Sequence, residues 1–75
     1  MPRYANLGGK SDIVSYTTTS TSITVRFSNG MYYLYNDHKP GSYTVEEMKR
    51  RAVAGRGLGT YINEHVKSDY ARTYR

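Results

Sequence analysis

Apolar and polar positions alternate with the period of a β-strand in the first half of the chain. The clearest stretch is ITVRF at 23–27, where every second side chain is apolar, as in a strand with one buried face. The flanking segments 11–19 and 31–35 are rich in β-branched and aromatic residues, which favour strands. Asn29-Gly30 is a strong hairpin signal. The pattern predicts a three-stranded antiparallel meander with its middle strand at 23–27.

A helical period replaces the alternation after the turn-forming segment NDHKPGS at 36–42. Thr44 and Glu47 have the spacing of a capping box, and Gly55 suits a helix C-cap. The apolar face of this first helix consists of Val45, Met48 and Ala52. A second helix is predicted to begin near Thr60. Its apolar side consists of Leu58, Ile62, Val66 and Tyr70.

These elements predict an α+β domain, in which the three-stranded antiparallel meander is followed by two helices packed on one face of the sheet. A chain of 75 residues forms one domain with a small core. We expect residues 1–10 to be a flexible N-terminal lead, residues 11–70 to be the single domain, and residues 71–75 to be a C-terminal tail.

The length of the hairpin loop decides which face of the sheet carries Tyr33 and Tyr35. With a two-residue loop at Asn29-Gly30, both tyrosines share the face away from the helices with Arg26. With a three-residue loop that is bulged at Gly30, Tyr33 and Tyr35 turn into the core. Arg26 then lies near Tyr32 on the opposite face, because a one-residue slip moves every side chain to the other face. Both loops fit SNG, and we favour the bulged one.

The composition excludes several classes of protein. The chain has no cysteine, so it has neither a disulfide nor a thiolate metal site, which fits a reducing compartment. The N-terminal segment MPRYANLGGK has no apolar signal region, and no stretch approaches the ~20 apolar residues of a membrane span. We therefore expect a cytoplasmic protein that does not contact a membrane.

The charge is unevenly distributed. The net charge is +5, of which residues 1–37 carry +1 and residues 38–75 carry +4. A basic half of this kind favours an anionic partner such as nucleic acid. The candidate phosphate contacts are Arg26, Lys49, Arg50, Arg51, Arg56 and Lys67, and Tyr32 is the candidate for stacking a base.

Alternative interpretations exist for two of the basic segments. Arg50 and Arg51 lie four residues after Glu46 and Glu47, a pattern typical of a solvated helix face. The better candidates for a basic surface are the cations without such acidic neighbours, which are Arg56, Lys67, Arg72 and Arg75. The segment GRGLG at 55–59 has the glycines of a phosphate-binding nest beside Arg56. We favour the alternative that it only connects the two helices.

Catalysis and metal binding have little basis in the sequence. Tyr61, His65 and Asp69 recur every four residues, but no cysteine is present and no serine has an activating neighbour. His38 and His65 lie in separate segments, which does not predict a zinc site. We expect no enzyme activity, no metal and no cofactor.

Two motifs resemble a known family. The first, Y-x(6)-I-x-V-x-F-x-x-G-x-x-Y-x-Y, runs from Tyr16 to Tyr35, and the second, G-x-x-I-N-x-x-V-x-x-x-Y, runs from Gly59 to Tyr70. The chain resembles the KTSC domain, named for the C-terminal domain of some lysyl-tRNA synthetases and also found alone in small bacterial and phage proteins. The resemblance implies that Tyr33 and Tyr35 face inward, and its synthetase context implies RNA binding. Leu58 stands where the family has a lysine.

The leading hypothesis is thus a small, non-catalytic module that binds nucleic acid, with RNA or another single strand as the ligand. The alternative is a protein-interaction module, such as a small phage-type modulator of a host protein or a homodimer. The short chain, its tyrosines and an open sheet edge motivate this alternative.

Overall fold

A four-stranded antiparallel sheet, with its strands in the order β1-β2-β3-β4, is covered on one face by helices. It is seen in a computed structural model that describes residues 3–7, 11–66 and 69–75. The strands are β1 (Ile13–Thr18), β2 (Ser22–Phe27), β3 (Tyr32–Asn36) and β4 (Arg72–Tyr74). The helices are α1 (Ser42–Ala54) and the short α2 (Leu58–Tyr61), which continues into a π-helical turn (Ile62–Val66). The predicted α+β class is confirmed.

The three-residue hairpin loop sets the register of β2 against β3. The Phe27 N–H donates to the Met31 carbonyl at 2.9 Å, and the Gly30 N–H donates to the Phe27 carbonyl at 2.9 Å. Gly30 has φ 88°, a left-handed conformation that glycine adopts without a steric penalty. As a result Val25 pairs with Tyr33 and Ile23 pairs with Tyr35. The favoured bulged register is confirmed.

The core lies between the sheet and the helices, on the face of the sheet that we call the inner face. The first helix buries the three residues predicted for its apolar face, against Ile23 and Val25 of β2. The second helical segment buries Leu58, Ile62 and Val66, as its pattern predicted. Tyr70 lies beyond the π-helical turn and is partly buried against the same core.

Each helix begins at a different residue from the one predicted. α1 starts after Gly41 and has no side-chain cap, so Thr44 and Glu47 do not form the predicted capping box. The preceding turn sets this start: the Asn36 side chain accepts the His38 and Lys39 N–H groups, and the Asn36 carbonyl accepts that of Gly41. The helix ends as predicted at Gly55, whose φ is 78°. The second helical segment starts at Leu58 rather than near Thr60.

The C-terminal residues correct the prediction of a three-stranded sheet with a tail at 71–75. Arg72–Tyr74 forms a fourth strand on the open side of β3, with Thr73 paired to Tyr33. The Ala71 N–H donates to the Leu34 carbonyl at 2.8 Å, and the Thr73 hydroxyl donates to the Tyr32 carbonyl at 3.0 Å. These bonds satisfy backbone groups that an edge strand would otherwise leave unpaired.

The described part of the N-terminal segment, residues 3–7, corrects the prediction of a flexible lead over 1–10. Tyr4 is only 3% exposed, and its hydroxyl accepts the buried Leu58 N–H at 3.2 Å. The Tyr4 N–H donates to the Val14 carbonyl, and the Leu7 N–H donates to the Gly55 carbonyl. Burial of one aromatic ring and these backbone bonds hold the segment against the domain. Residues 1–2 and 8–10 lie outside the described residues.

Replacing Tyr4 with Phe tests the docking of this segment. The substitution keeps the ring but leaves the buried Leu58 N–H without its acceptor, so the free energy of unfolding should fall by ~1–3 kcal/mol. Tyr43→Phe is the matched control, because Tyr43 is 80% exposed, and its effect should stay within ~0.5 kcal/mol. Urea denaturation measures both. Equal stability of the two variants would show that the Tyr4 hydroxyl bond is not needed.

Candidate nucleic-acid interface

The outer face of the sheet, which is the face turned away from the helices, carries a row of basic and aromatic side chains. The strand register places Arg26 of β2 beside Tyr32 of β3, and Tyr32 beside Tyr74 of β4. Arg72 lies two residues before Tyr74 on the same face. We call Arg26, Tyr32, Tyr74 and Arg72 the outer row. Both arginines are exposed to solvent.

The two rings of the outer row are stacked. The Tyr32 and Tyr74 planes differ by 5°, and their centroids are 5.2 Å apart, close to the ~4.7–4.9 Å spacing of neighbouring strands. The guanidinium carbon of Arg26 lies 5.8 Å from the Tyr32 centroid, and that of Arg72 lies 5.6 Å from the Tyr74 centroid. These distances are in the range of cation–π contacts, so each arginine rests against a ring.

The stack changes which tyrosine is suited to bind a base. Tyr32, which the sequence indicated, is half-buried and has Tyr74 on one side and Arg26 near its ring. Tyr74 lies on the edge strand of the sheet and is 40% exposed. A base can therefore reach the Tyr74 ring more easily than the Tyr32 ring.

Arg75, the residue after Tyr74, contacts the hairpin loop. The Arg75 guanidinium donates to the Asn29 carbonyl at 3.3 Å, and the pair is exposed. Sequence reasoning considered Arg72 and Arg75 as part of a basic surface, but it did not place them beside Tyr74 because it treated residues 71–75 as a tail. The sequence signal for β4 was weak: Thr73 and Tyr74 are residue types that favour strands, but three residues are too few to show a period.

Lys49, a predicted phosphate contact, is engaged within the domain. Its ammonium donates to the Thr19 carbonyl at 2.6 Å, to the Ser20 carbonyl at 3.2 Å and to Glu46 at 3.0 Å. The side chain is only 17% exposed. Lys49 therefore joins α1 to the β1–β2 turn, and a phosphate would have to compete with these three acceptors.

Arg50 and Arg51 share one carboxylate. Both guanidinium groups donate to Glu47, with a distance of 3.2 Å for Arg51, and the hydrogen bond from Arg50 lowers the pKa of Glu47. Glu46 pairs with Lys49 rather than with Arg50. The Arg51 guanidinium also lies over the Tyr61 ring, 4.6 Å from its centroid. These contacts fit the interpretation of α1 as a solvated, internally paired helix face.

The other predicted contacts fall in different places. Arg56 is exposed after the end of α1, and Lys67 lies outside the described residues. Of the predicted site residues, the structure brings together Arg26 and Tyr32, while Lys49, Arg50 and Arg51 lie on the helix that packs against the inner face.

Three N–H groups of the glycine-rich connection are bonded within the domain. The Gly55 and Arg56 N–H groups donate to the Arg51 carbonyl at 3.0 and 3.3 Å, and the Leu58 N–H donates to Tyr4. A phosphate-binding nest requires free N–H groups that point at the anion. The connection therefore fits the simpler interpretation, in which it ends α1 and reverses the chain.

The tyrosines of the Y-x-Y motif lie on the inner face, outside the candidate interface. Tyr33 makes edge-to-face contacts with Phe27 and Tyr70, at centroid distances of 5.2 and 5.0 Å. Tyr35 is 1% exposed. Burial raises the pKa of the Tyr35 phenol, and the nearby Tyr33 and Tyr70 add to the shift.

His65 and Asp69, which were considered for catalysis, form no salt bridge with each other. The rings of Tyr61 and His65 are in contact, 4.6 Å apart, while Asp69 follows the end of the π-helical turn. Within residues 3–7, 11–66 and 69–75, no three acidic or histidine side chains are grouped to hold a metal. No helix in those residues is long and apolar enough to cross a bilayer.

Comparison with known proteins finds no relative: no family model, no curated protein and no solved structure matches the chain. The resemblance to KTSC domains therefore stays a prediction from the two motifs. The case for a binding surface depends on the geometry of the outer row.

The raised pKa of Tyr35 predicts a loss of stability at alkaline pH. In the folded state the phenol keeps its proton at pH values above its ordinary pKa of about 10, whereas in the unfolded state it loses it. The stabilisation from the buried neutral phenol is therefore complete below pH ~10 and is lost as the pH rises further. Tyr35→Phe should reduce the decline of unfolding free energy by up to ~1.4 kcal/mol per pH unit in that range. Denaturation between pH 8 and 11 measures it. Tyr43→Phe, at an exposed site, should decline like the unsubstituted protein, and an identical decline in Tyr35→Phe would contradict the prediction.

Proposed function

We propose that this protein is a small, non-catalytic module that binds single-stranded nucleic acid, with RNA as the expected form, on the outer face of its sheet. The observation that carries the proposal is the outer row, in which two stacked tyrosines are flanked by two exposed arginines. An exposed aromatic ring beside basic groups is the arrangement by which single strands are bound without sequence preference.

The arginines of the outer row are suited to hold phosphates. A guanidinium carries five N–H donors in a planar fork that matches a phosphate, and a contact with a ring does not use those donors as a salt bridge would. Arg26 and Arg72 make no salt bridge with any described acidic side chain, in contrast to Arg50 and Arg51. Their charge is therefore available to an external anion.

Single strands fit this surface better than duplexes. An aromatic side chain can stack only on a base whose face is free. A base inside a duplex is already stacked on its neighbours. The expectation of RNA comes from the resemblance to a synthetase domain and not from the row itself. A cytoplasmic location is compatible with that ligand and is part of the same proposal.

A double substitution, Arg26→Gln with Arg72→Gln, tests the phosphate contacts. Because each phosphate contact on a single strand contributes about 0.7 to the slope of log K against log salt, the slope should fall by about 1–1.5. Fluorescence anisotropy with a labelled oligouridylate, titrated at ~50 and ~200 mM salt, measures it.

The matched control is Arg50→Gln with Arg56→Gln, which removes the same charge from another surface. This control should lose little affinity and keep most of the salt slope. If both double variants lose affinity equally, the binding is a property of net charge and the outer row is not the interface. If the unsubstituted protein fails to bind at ~50 mM salt, the proposed function is wrong.

Tyr74→Ala tests the stacking contact. Loss of one base–aromatic contact should weaken binding by ~1–3 kcal/mol, while Tyr74→Phe should retain most of the affinity because it keeps the ring. Tyr43→Ala removes an exposed tyrosine from α1 and should leave the affinity unchanged. A Tyr74→Ala variant that melts like the parent and binds equally well would exclude Tyr74 as a stacking residue.

The protein-interaction alternative has the two edge strands of the sheet, β1 and β4, in its favour. The N-terminal segment partly covers the β1 edge, where the Tyr4 N–H donates to the Val14 carbonyl. The β4 edge is only three residues long and carries Arg72, with Arg75 next to it. Short edges and charged side chains are the means by which proteins discourage strand pairing. The outer face is therefore the better candidate surface.

A further inference from the structure

A groove lies at the hairpin end of the domain, between the β2–β3 hairpin and the π-helical turn. It consists of two adjoining hollows of about 190 Å³ each, which share Phe27, Ile62 and Asn63 as lining residues. The first hollow is also lined by Asp12 and Thr60. The second reaches Asn29 of the hairpin loop and the inward-facing Tyr33 and Tyr35.

The dimensions and walls of the groove suit one flat ring system. Each hollow is smaller than the ~300–1,000 Å³ of pockets that enclose drug-sized ligands. Phe27 and Ile62 provide apolar surface, and Gly57 and Gly59 line the first hollow without side chains. A single planar heterocycle can lie against these apolar walls and the glycine backbone.

The polar groups of the first hollow favour a ligand with adjacent hydrogen-bond donors. The exposed Asp12 carboxylate forms no salt bridge with the described residues, and the exposed Asn63 amide forms no hydrogen bond with them. The Asn6 amide, by contrast, is already bonded to the backbone of Ser11. A carboxylate is an acceptor only, and an amide supplies both a donor and an acceptor.

The sign of the charge separates the two parts of the surface. Asp12 would repel a phosphate, while the arginines of the outer row attract one. The groove is therefore suited to a base and the outer row to the backbone. Both meet at the hairpin loop, since Asn29 lines the groove and its carbonyl accepts a hydrogen bond from Arg75, the neighbour of Tyr74.

We propose that this groove binds one guanine base of the strand held on the outer row, which deepens the proposed function and rests on it. Guanine is the base whose Watson–Crick edge presents two neighbouring N–H donors beside the O6 acceptor. The two donors match the two oxygens of Asp12, and O6 can accept from the Asn63 amide. Adenine and cytosine each present one donor next to an acceptor, and uracil presents one donor between two acceptors, so each leaves an oxygen of Asp12 unpaired.

The test compares labelled RNA strands of about ten nucleotides: an all-uridine strand and the same strand with a single central guanosine, adenosine or cytidine. At ~50 mM salt, the guanosine strand should bind roughly tenfold more tightly than the other three. Asp12→Asn should abolish this preference, because an amide replaces one acceptor by a donor. Asn63→Asp, which sets a carboxylate against O6, should abolish it too.

Asp37→Asn is the matched control, because Asp37 is an exposed acid in the β3–α1 turn. It removes the same charge as Asp12→Asn but lies outside the groove, so Asp37→Asn should keep the guanosine preference. Thermal unfolding confirms that each variant is folded. The guanosine preference is the ratio of two affinities measured on the same variant, so a general change in affinity does not alter it.

The outcomes separate the two proposals. If no strand binds to the unsubstituted protein, the proposed function fails and the guanine site fails with it. If all four strands bind equally, or if the preference persists in folded Asp12→Asn and Asn63→Asp, only the guanine site is overturned and the outer row stands.

Discussion

The three-residue loop between β2 and β3 is the constraint on which the rest of the structure depends. A loop shorter by one residue would exchange the two faces of β3. It would place Tyr33 and Tyr35 in solvent and would remove Tyr32 from the side of Arg26. The left-handed Gly30 makes the longer loop possible, and the Asn29 side chain supports it by accepting the Met31 N–H at 2.9 Å. One glycine thus separates the tyrosines of the core from those of the candidate interface.

Both ends of the chain pack against the domain and add to the sheet and the core. β4 covers one side of β3 and brings Tyr74 against Tyr32, so the outer row exists only because the C-terminal residues join the sheet. At the other end, Tyr4 fills the space between β1 and the start of α2, where its hydroxyl accepts an otherwise unpaired N–H. In a chain of 75 residues with a small core, these terminal contacts are a substantial part of the tertiary structure.

Sequence reasoning succeeded where a pattern extends over several periods. The alternation of 23–27, the apolar face of α1 and the left-handed Gly55 follow from side-chain direction and steric limits that act locally. β4 and the docked residues 3–7 were missed because each is too short to show a period and is held by tertiary contacts. The start of α1 was missed because the Asn36 turn, and not a side-chain cap, determines it.

The candidate site divides in the same way. Arg26 and Tyr32 were identified because the hairpin register is a local property, whereas their association with Tyr74 and Arg72 is set by a strand pairing some forty residues apart in the chain.

Net charge was a weaker guide than register to the position of the candidate site. Lys49, Arg50 and Arg51 form the densest basic segment, yet two glutamates and the β1–β2 turn engage them. A cation that is bonded within its own domain must give up those bonds to hold a phosphate. The two arginines of the outer row lie near aromatic rings and have no acidic partner among the described residues. The location of a cation and its partners, rather than the number of cations in a segment, therefore favour the outer face as the candidate interface.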